Sequence, residues 1–350
     1  MRFKQLSRFN KFILVLNIGL AVLTFVAYIL PFLAPKLFPF LAVLTLVLPL
    51  FLILNALFFI YWLVQVKRQM LYSGIVLLIG ITFITKFYKF SSVNLPEEEN
   101  DFVVMSYNVR LFNLFNWIDR VGVATEIRSF INDQNPDILC IQEYSENAKV
   151  DLRVYKHKYI YMQGNKIKSG QAIFSKYKII NNGIIKFPKS DNIVIFADIL
   201  KNKDTIRVYN MHMESIKISP DVDEIEENVD AIDQSKSKLV FKRISKTFKK
   251  QQLQAELIKE DKSKCKYPII ICGDMNNSAF SYVYRSIKGD MKDSFEEAGK
   301  AFGQTYDFKY YPARIDYILV DKTIKVKSFE NFPKFKNSDH YPVVSRMILE

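Results

Sequence analysis

The first 90 residues of this 350-residue chain contain no aspartate or glutamate. Their charged side chains are all lysine or arginine, and they supply most of the formal net charge of +13. Residues 91–350 carry basic and acidic groups in near balance, with an excess of only +4. The isoelectric point of about 9.3 therefore reflects one end of the chain, and it does not by itself indicate a nucleic-acid-binding surface.

Cysteine is scarce as well. The chain has three cysteines, Cys140, Cys265 and Cys272, whose spacing does not match a zinc site and whose odd number argues against a disulfide framework. Cys140 and Cys272 each lie in a short apolar run typical of a buried strand, where a free thiol behaves as a small hydrophobic group. A single bridge between these two cysteines remains open if their strands are neighbours.

The first 90 residues are rich in apolar side chains, which form runs at residues 12–33, 37–64 and 71–85. About 20 apolar residues cross a bilayer, so the first two runs are long enough and the third is short. The third spans only if the aromatic residues that flank it lie in the membrane interface. A cleavable signal peptide is not favoured, because two more apolar runs follow without a small-residue cleavage site. We predict a membrane anchor over residues 1–90, with three transmembrane helices that contact the lipid bilayer through residues 12–85.

Basic residues flank these runs unevenly and predict the orientation of the anchor. Four precede the first run, one lies in the first loop and two lie in the second loop, so the positive-inside rule places the N-terminus and the second loop in the cytoplasm. Three spans would then put the following domain outside the cytoplasm, and two spans would put it inside. We expect an integral membrane protein of a bacterial-type inner membrane with an extracytoplasmic domain. The flanking residues are Arg2, Lys4, Arg8 and Lys11, then Lys36, then Lys67 and Arg68.

Residues 91–100 are interpreted as a polar linker, and residues 101–350 as a separate domain. Short β-rich runs recur through this domain, whereas helical periodicity is clear only at residues 123–134 and 239–259. Many strands with few helices between them indicate an α/β layered sandwich.

One stretch of the domain is unusual in its charge. Residues 221–233 contain acidic but no basic side chains, and residues 236–250 contain basic but no acidic ones. The pair is either a substrate-facing loop with a basic ridge or a solvated insertion followed by an ordinary basic-faced helix.

Several apolar runs of the domain end abruptly in polar side chains. They end at Asn108, at Glu143, at His212 and at Asp274 with Asn276. Strand ends of an α/β sheet meet at one edge, where ligands bind, so we expect these side chains to share a cleft. Carboxylate and amide oxygens are ligands that suit Mg²⁺, Mn²⁺ or Ca²⁺. The sequence therefore predicts a hard-cation site.

Six short motifs in this domain resemble, in the same order, those of the endonuclease/exonuclease/phosphatase superfamily. The resemblance covers about residues 101–349 and implies the deoxyribonuclease-I-like fold, a four-layer α/β sandwich, placed here after an all-α transmembrane region. The motifs are MSYNVR at 105–110, DILCIQE at 137–143, YNMH at 209–212, ICGDMN at 271–276, RIDYIL at 314–319 and SDHYPV at 338–343.

The resemblance also implies a metal-dependent phosphoester hydrolase. Glu143 would be the principal ligand of Mg²⁺ or Mn²⁺, Asn108 would be a second oxygen ligand, and Asp339 would face the metal or a second metal position. These three residues form the implied metal set.

The implied catalytic set contains two histidines and their partners. Asp274 would orient or deprotonate the attacking water, and Asn276 would hold that water or a phosphate oxygen. His340 would be the catalytic histidine with Asp316 fixing its tautomer, and His212 would donate to a phosphate oxygen. A third histidine, His157, lies outside the motifs and is interpreted as a surface residue.

The substrate is open at this level. The anchor and the near-neutral domain favour a lipid headgroup or another small phosphoester near the bilayer. A nuclease acting on extracytoplasmic nucleic acid is the alternative, supported by the basic run at residues 236–250. Phosphate backbones require long basic surfaces, however, and an excess of +4 over residues 91–350 is modest. A catalytically silent binding module is disfavoured because the full set of site residues is present. We infer no protein partner.

Overall fold

The computed structural model describes residues 6–216 and 234–350. Their backbone divides into two compact units, each built from several parts of the chain. The acidic segment at residues 221–233 lies outside the described residues. Among the described residues, the first unit comprises 6–87, 234–252 and 278–285, and the second comprises 88–216, 253–277 and 286–350.

The first unit is helical and contains the apolar runs. Helices α1 (Arg8–Ile29) and α2 (Leu44–Val64) lie in segments long and apolar enough to cross a membrane. Helices α3 (Met70–Ile79) and α4 (Ile81–Phe87) meet at Gly80 with a bend of 66°. In the described part of the chain there are thus two candidate spans, or three if the bent pair acts as one.

Buried polar side chains join the helices of this unit. Asn17 donates to the Ser73 hydroxyl at 2.6 Å and accepts from the Trp62 indole at 3.0 Å, which links α1 to both α3 and α2. Farther along α1, Asn55 donates to the Thr24 hydroxyl at 3.0 Å. Polar side chains that meet between apolar helices hold such helices together through their hydrogen bonds.

These contacts define the directions of the helices. The start of α1 meets the end of α2, where Asn10 donates to Gln65 at 3.1 Å, so these two helices are antiparallel. The end of α1 meets α4, where the rings of Tyr28 and Phe83 stack at 4.7 Å. Together with the Asn17 contact to α3, this pairing shows that α1 and the bent pair run in the same direction.

A segment from much later in the chain, Ser278–Arg285, belongs to the same unit. The Ser278 hydroxyl donates to the carbonyl of Thr45 at 3.2 Å, and Phe280 is buried in the helical core. The Arg285 guanidinium lies over the ring of Phe32 at 4.2 Å. The helices of the first unit therefore bind a segment that begins directly after Asn277.

The second unit is built from two six-stranded sheets and helices. One sheet has the strand order β10-β12-β9-β8-β7-β6, the other β13-β14-β2-β3-β5-β4, and a two-stranded ribbon pairs β1 with β11. Helix α5 (Val123–Gln134) lies in this unit, as do the part of α6 (Gln234–Lys264) beyond residue 252, the part of α7 (Tyr282–Lys288) beyond residue 285 and all of α8 (Ser294–Ala298). The strands are β1 Tyr88–Lys89, β2 Phe102–Asn108, β3 Ile138–Tyr144, β4 His157–Gln163, β5 Ser169–Ser175, β6 Lys178–Lys186, β7 Ile193–Lys201, β8 Asp204–His212, β9 Ile269–Asp274, β10 Lys292–Asp293, β11 Ala301–Phe302, β12 Asp316–Val320, β13 Ile324–Asn331 and β14 Val343–Leu349.

The two sheets pack face to face through one apolar core. Val104 and Ile138 of one sheet share this core with Val208 and Ile270 of the other. The outer face of the sheet that contains β2 and β3 is covered by α5, whose Ile127 packs in a second apolar cluster. The α/β sandwich predicted from the sequence is confirmed. Its central strands are buried on both faces, and such strands appear in a sequence as continuous apolar runs.

Residues 91–100 belong to the second unit and are hydrogen-bonded to its strand β13. The Leu95 amide donates to the carbonyl of Lys327 at 2.9 Å, and the Lys327 ammonium lies 3.0 Å from carboxylates of both Glu98 and Asp101. These contacts attach residues 94–101 to β13.

The three cysteines are free thiols. Cys140 and Cys272 lie in facing strands of the common core, and burial, together with the adjacent Cys272, raises the pKa of Cys140 well above its usual range. Beside Cys272, Gly273 has a φ of +127°, and a Cβ at this position would collide with the carbonyl oxygen of Met211. Glycine here lets β8 and β9 approach closely at the strand ends that carry the predicted site.

Candidate active site

The polar residues at the predicted strand ends come together. Parallel strands β2 and β3 set Asn108 opposite Gln142, and parallel strands β8 and β9 set His212 opposite Asp274. The Asn108 amide nitrogen lies 3.4 Å from a Glu143 oxygen and 3.2 Å from an Asp274 oxygen. Asn108 therefore connects the ends of the two sheets.

His212 lies between the two carboxylates. Its Nε2 is 3.8 Å from Oε1 of Glu143 and 3.7 Å from Oδ2 of Asp274. Glu143 has a positive φ of 50° where β3 shifts register against β5, and its carboxylate remains one-third exposed. A non-glycine residue in this region of φ costs energy and is found at functional sites, where surrounding contacts hold it in place.

His340 forms a buried pair with Asp316. The Nδ1 atom of His340 lies 3.0 Å from Oδ2 of Asp316, and its Nε2 lies 3.6 Å from Oδ2 of Asp274. Burial disfavours the charged imidazole, but the carboxylates of Asp316, Asp274 and Asp339 outweigh it and raise the pKa of His340 to about 10. The imidazole is therefore a cation at neutral pH, held by Asp316.

Asp274 occupies the centre of the site. It is almost fully buried, and burial raises its pKa to about 6, although the charges of His340 and His212 act in the opposite direction. The Asn276 backbone N–H donates to Oδ1 of Asp274 at 2.7 Å, and the Asn276 side-chain amide donates to Oδ2 at 3.1 Å. Asn276 itself has a φ of +49°. These contacts fix the orientation of the Asp274 carboxylate.

Asp339 lies in a different environment from Glu143. Its carboxylate pairs with the Arg110 guanidinium at 3.5 Å and accepts from the Ser338 hydroxyl at 3.2 Å. The Arg110 guanidinium lies over the Trp117 ring at 4.7 Å. Arg110 follows Asn108 in a motif that the sequence singles out, but its pairing with Asp339 is not evident before the strands are placed.

The residues present fit a divalent cation beside Glu143. Glu143 has no lysine or arginine within 4.0 Å in the described part of the chain, and Asn108 presents an amide to it. A rotation of that amide would turn its oxygen toward Glu143 without changing its shape. A second group, Asp274, Asp316 and His340, has ligand atoms within 4.8 Å of one another. Because Nδ1 of His340 is already bonded to Asp316, this group suits proton handling better than metal binding.

A cavity of about 470 Å³ lies next to Glu143 and His212. Its wall is formed largely by residues in and beside the turns between β4 and β5 and between β6 and β7, which contribute Gln163, Gln171, Asp191 and Asn192. We call it the side cavity. Apart from Glu143 and His212, its lining residues were not predicted as site residues, since none of them ends one of the apolar runs that the sequence singles out. His157, by contrast, lies half-buried at the start of β4 and outside the site.

Comparison with known proteins agrees with this geometry. The model of the Endonuclease/Exonuclease/phosphatase family matches residues 105–340, which include every residue of the site from Asn108 to His340. The chain belongs to this family. Members of the endonuclease/exonuclease/phosphatase family are divalent-metal-dependent phosphoester hydrolases, and this chain is accordingly a phosphoester hydrolase that presents a carboxylate and histidine group. A second family model, described only as a domain of unknown function, matches residues 10–87.

Solved structures share the fold of the second unit. An endonuclease/exonuclease/phosphatase from Bacteroides vulgatus is 19% identical, with 72% of this chain and 100% of that chain covered and a TM-score of 0.53. A mannosyl-6-phosphatase from Bacteroides thetaiotaomicron is 18% identical, with 71% and 100% covered and a TM-score of 0.51. D. rerio TDP2, solved with a single-strand DNA product, is 16% identical, with 71% and 99% covered and a TM-score of 0.51. No curated protein matches this chain.

Proposed function

We propose that this enzyme hydrolyses a phosphoester of a lipid headgroup or another small molecule at a membrane, using Mg²⁺ or Mn²⁺. The observation that carries the proposal is the convergence of Asn108, Glu143, His212 and Asp274 at four strand ends, with the buried His340 beside them. A phosphoryl group placed there would meet oxygen ligands, a proton acceptor and hydrogen-bond donors together.

Glu143 and Asn108 would hold the cation. When bound, a divalent cation supplies Lewis-acid stabilisation of the charge that develops on the phosphoryl oxygens. Asp339 would join the metal set only by leaving Arg110, with which it pairs at 3.5 Å. The first two residues are therefore the stronger candidates.

Asp274 would act on the attacking water. A raised pKa of about 6 makes this carboxylate a better proton acceptor near neutral pH than an ordinary aspartate. Asn276, which donates to both Asp274 oxygens through its backbone and side-chain N–H groups, would keep the carboxylate aimed at the water.

The histidines would stabilise negative charge and serve the leaving group. His340 is held as a cation by Asp316, so its Nε2 can donate to a phosphoryl oxygen or to the departing alcohol. His212, between Glu143 and Asp274, is placed to donate to a non-bridging oxygen. Preorganised donors of this kind lower the barrier because they are already oriented when charge develops.

Features of the first unit support action at a membrane. Two of its helices are long and apolar enough to span a bilayer, and the bent pair runs parallel to α1. Three crossings would place residue 88 on the side opposite the N-terminus, which the basic flanks assign to the cytoplasm. We propose an inner-membrane enzyme with an extracytoplasmic active site.

The first half of α6 favours the lipid over the nucleic acid. This basic segment groups with the apolar helices in the first unit, and its Leu239 and Phe241 are exposed next to the exposed Lys238 and Lys242. Apolar side chains among lysines suit a lipid headgroup layer. Cleavage of nucleic acid is retained as an outcome of the test below.

The test uses the full chain, purified in detergent, with Mg²⁺ or Mn²⁺. Its substrates are p-nitrophenyl phosphate, bis-p-nitrophenyl phosphate, sphingomyelin, inositol phosphates and plasmid DNA. We expect turnover of at least one small ester or lipid, loss of that turnover with EDTA, and its recovery with Mg²⁺. Preferential cleavage of plasmid DNA would replace the lipid and small-ester assignment by a nuclease, and no turnover of any substrate would reject the enzymatic mechanism.

Matched variants assign the chemistry to the site. His340→Ala is expected to abolish turnover, whereas His157→Ala changes a histidine outside the site and is expected to preserve it. If both histidine variants retain wild-type rates, the site assignment is wrong.

A reporter fused after Glu350 tests the orientation independently. An alkaline phosphatase fusion is expected to be active and a green fluorescent protein fusion dark, because the three-span arrangement exports the C-terminus. The opposite pair of results would contradict three spans.

A further inference from the structure

The side cavity has a lining that differs from what a polyanion requires. Among the described residues that line it, none is lysine or arginine, and one, Asp191, adds a negative charge to that of Glu143. Lys166, Lys168 and Lys189 lie in the two turns that border it, but they are exposed and do not line it. Beyond the phosphoryl group at the proposed metal, a further phosphate or carboxylate in the cavity would meet the Asp191 carboxylate and no lysine or arginine of the described lining.

Neutral polar groups dominate the wall. Gln163, Gln171 and Asn192 each carry an amide that both donates and accepts, and Ser169 carries a hydroxyl. Neighbouring hydroxyls of a sugar or cyclitol can also donate and accept in pairs. Such a pair can bond to both polar atoms of an amide or of the Asp191 carboxylate, whereas a single alcohol offers only one hydroxyl. Leu111 and Ile193 add an apolar surface suited to the C–H face of a ring.

Gln171 supplies an independent observation. Its side chain is only 2% exposed, and its amide nitrogen donates to the Ile193 carbonyl at 2.7 Å. Its amide oxygen is buried and has no hydrogen-bond partner among the described residues. A buried acceptor without a donor is unfavourable. Because Gln171 is one of the lining residues, a shift of its side chain toward the cavity would let a ligand hydroxyl donate to this oxygen. The orientation of the amide is set, because the Ile193 carbonyl requires a donor.

Asn192 connects this wall to the catalytic residues. Its side-chain amide donates to the Met213 carbonyl at 2.9 Å, and the same carbonyl accepts from the Asn276 amide at 2.9 Å. A group bound in the cavity therefore contacts a residue that shares an acceptor with Asn276. The volume of about 470 Å³ lies within the range of roughly 300–1,000 Å³ that small-molecule sites occupy.

We propose that the side cavity binds an uncharged, hydroxyl-rich ring, a sugar or cyclitol, as the leaving group of the phosphoester. This inference rests on the proposed function, since Glu143 and His212 must act on the ester at the mouth of the cavity. The ring belongs either to a soluble phosphate ester or to a lipid headgroup, and both sources present the same chemistry.

The experiment compares leaving groups on the full chain in detergent with Mg²⁺. The uncharged-ring substrates are a hexose monophosphate, which is a monoester, and glycerophosphoinositol, which is a diester. An inositol trisphosphate is the polyanionic comparison, and the two p-nitrophenyl esters measure turnover without a ring of hydroxyls. Phosphatidylinositol vesicles then distinguish the lipid source from the soluble one. We expect kcat/KM for an uncharged-ring substrate to exceed that for the matching aryl ester and for the trisphosphate by about tenfold or more.

A charge reversal tests the cavity directly. Asp191→Lys is expected to lower kcat/KM for the uncharged-ring substrate and to raise it for the trisphosphate, each by about tenfold, because the added cation attracts phosphate. Asp204→Lys makes the same change on an exposed residue at the start of β8, the end of the strand opposite to His212, and is expected to shift neither value. Lys166→Ala, on the border of the cavity, is also expected to be neutral.

Calorimetry without metal gives a readout apart from turnover. Free inositol or free hexose is expected to bind wild-type protein and to lose that binding in Gln163→Leu and Asp191→Lys. Failure of both to bind wild type, or equal binding by all variants, would overturn the inference.

The outcomes separate the two proposals. If the aryl esters are hydrolysed but the trisphosphate is the best substrate, or if Asp191→Lys behaves as Asp204→Lys, the cavity assignment is wrong and the proposed function stands. If no ester is hydrolysed, the proposed function fails and the leaving-group assignment fails with it.

Discussion

The two units of this protein distribute polar and apolar side chains in opposite ways. In the first unit Asn17 and Asn55 are fully buried, whereas Phe12 is 60% exposed and Val22 is 56% exposed. In the second unit the pattern is the usual one, with Phe102 and its neighbours buried in the core between the sheets. This contrast is what the proposed membrane anchor requires, because lipid would then surround the helices and water would surround the sandwich.

Buried polar groups also have different tasks in the two units. In the first unit Asn17 bonds to Ser73 and Trp62 and thereby joins helices. In the second unit Asp274 and His340 are buried at strand ends, where their pKa values are shifted. Buried polar side chains thus join helices in the first unit, and at the candidate site of the second unit they have shifted pKa values of the kind found at functional sites.

The largest expected effect is the loss of activity when a carboxylate of the site is replaced, compared with a carboxylate elsewhere in the second unit. Glu143→Gln removes the carboxylate that would hold the cation, so kcat/KM should fall by about 10³-fold or more while the melting temperature stays near wild type. Glu146→Gln, an exposed glutamate three residues later, is the matched control and should retain full activity. Equal activity of the two variants would show that Glu143 is not a catalytic ligand.

Replacement of a phenylalanine by alanine is expected to affect stability differently in the two units. Phe102→Ala empties part of the sandwich core and should reduce the free energy of unfolding by about 3–5 kcal/mol. Phe12→Ala removes a side chain that faces the surroundings of α1, and in detergent it should change stability by about 0.5 kcal/mol or less. Denaturant unfolding followed by near-ultraviolet circular dichroism measures both. Similar losses would contradict the assignment of lipid as the solvent of α1.

A pH profile tests the buried His340–Asp316 pair. The pKa of His340 is raised to about 10, so activity that needs the imidazolium is present below that pH and is lost as the pH rises through it. Asp316→Asn removes the charge that lies closest to the ring and should move this alkaline loss down by roughly one to two pH units.

Asp290→Asn is the control for that profile, because it changes an exposed aspartate that pairs with Lys322. Its alkaline limb should coincide with that of the wild type. An unshifted limb in Asp316→Asn would show that His340 does not titrate in the profile.

The smallest expected effect concerns the polar contacts of the first unit. Asn17→Leu removes the bonds to Ser73 and Trp62 and should destabilise the helices by about 1–2 kcal/mol in micelles. Leu16→Ala, on a neighbouring half-exposed side chain, should have a smaller effect. If Asn17→Leu stabilises the helices, the buried amide serves some purpose other than holding them together.

Much of the architecture could be predicted from the sequence. The helix at Val123–Gln134 is confirmed because its apolar residues recur with helical spacing, and the central strands are confirmed because both of their faces are apolar. Strands His157–Gln163, Lys178–Lys186 and Ile324–Asn331 are not evident from the sequence pattern. They lie at or next to the sheet edges and carry many polar side chains, so their apolar pattern is weak.

The candidate site, like the fold, could be predicted from the sequence only in part. The sequence by itself determined which residues end the apolar strands, since each break from apolar to polar is visible along the chain at Asn108, Glu143, His212 and Asp274. Only the tertiary structure decided that Asp339 pairs with Arg110 and that Asp191 and Gln171 line one cavity. Contacts between residues far apart in the chain depend on strand order and on the packing of two sheets, which local patterns of side chains do not encode.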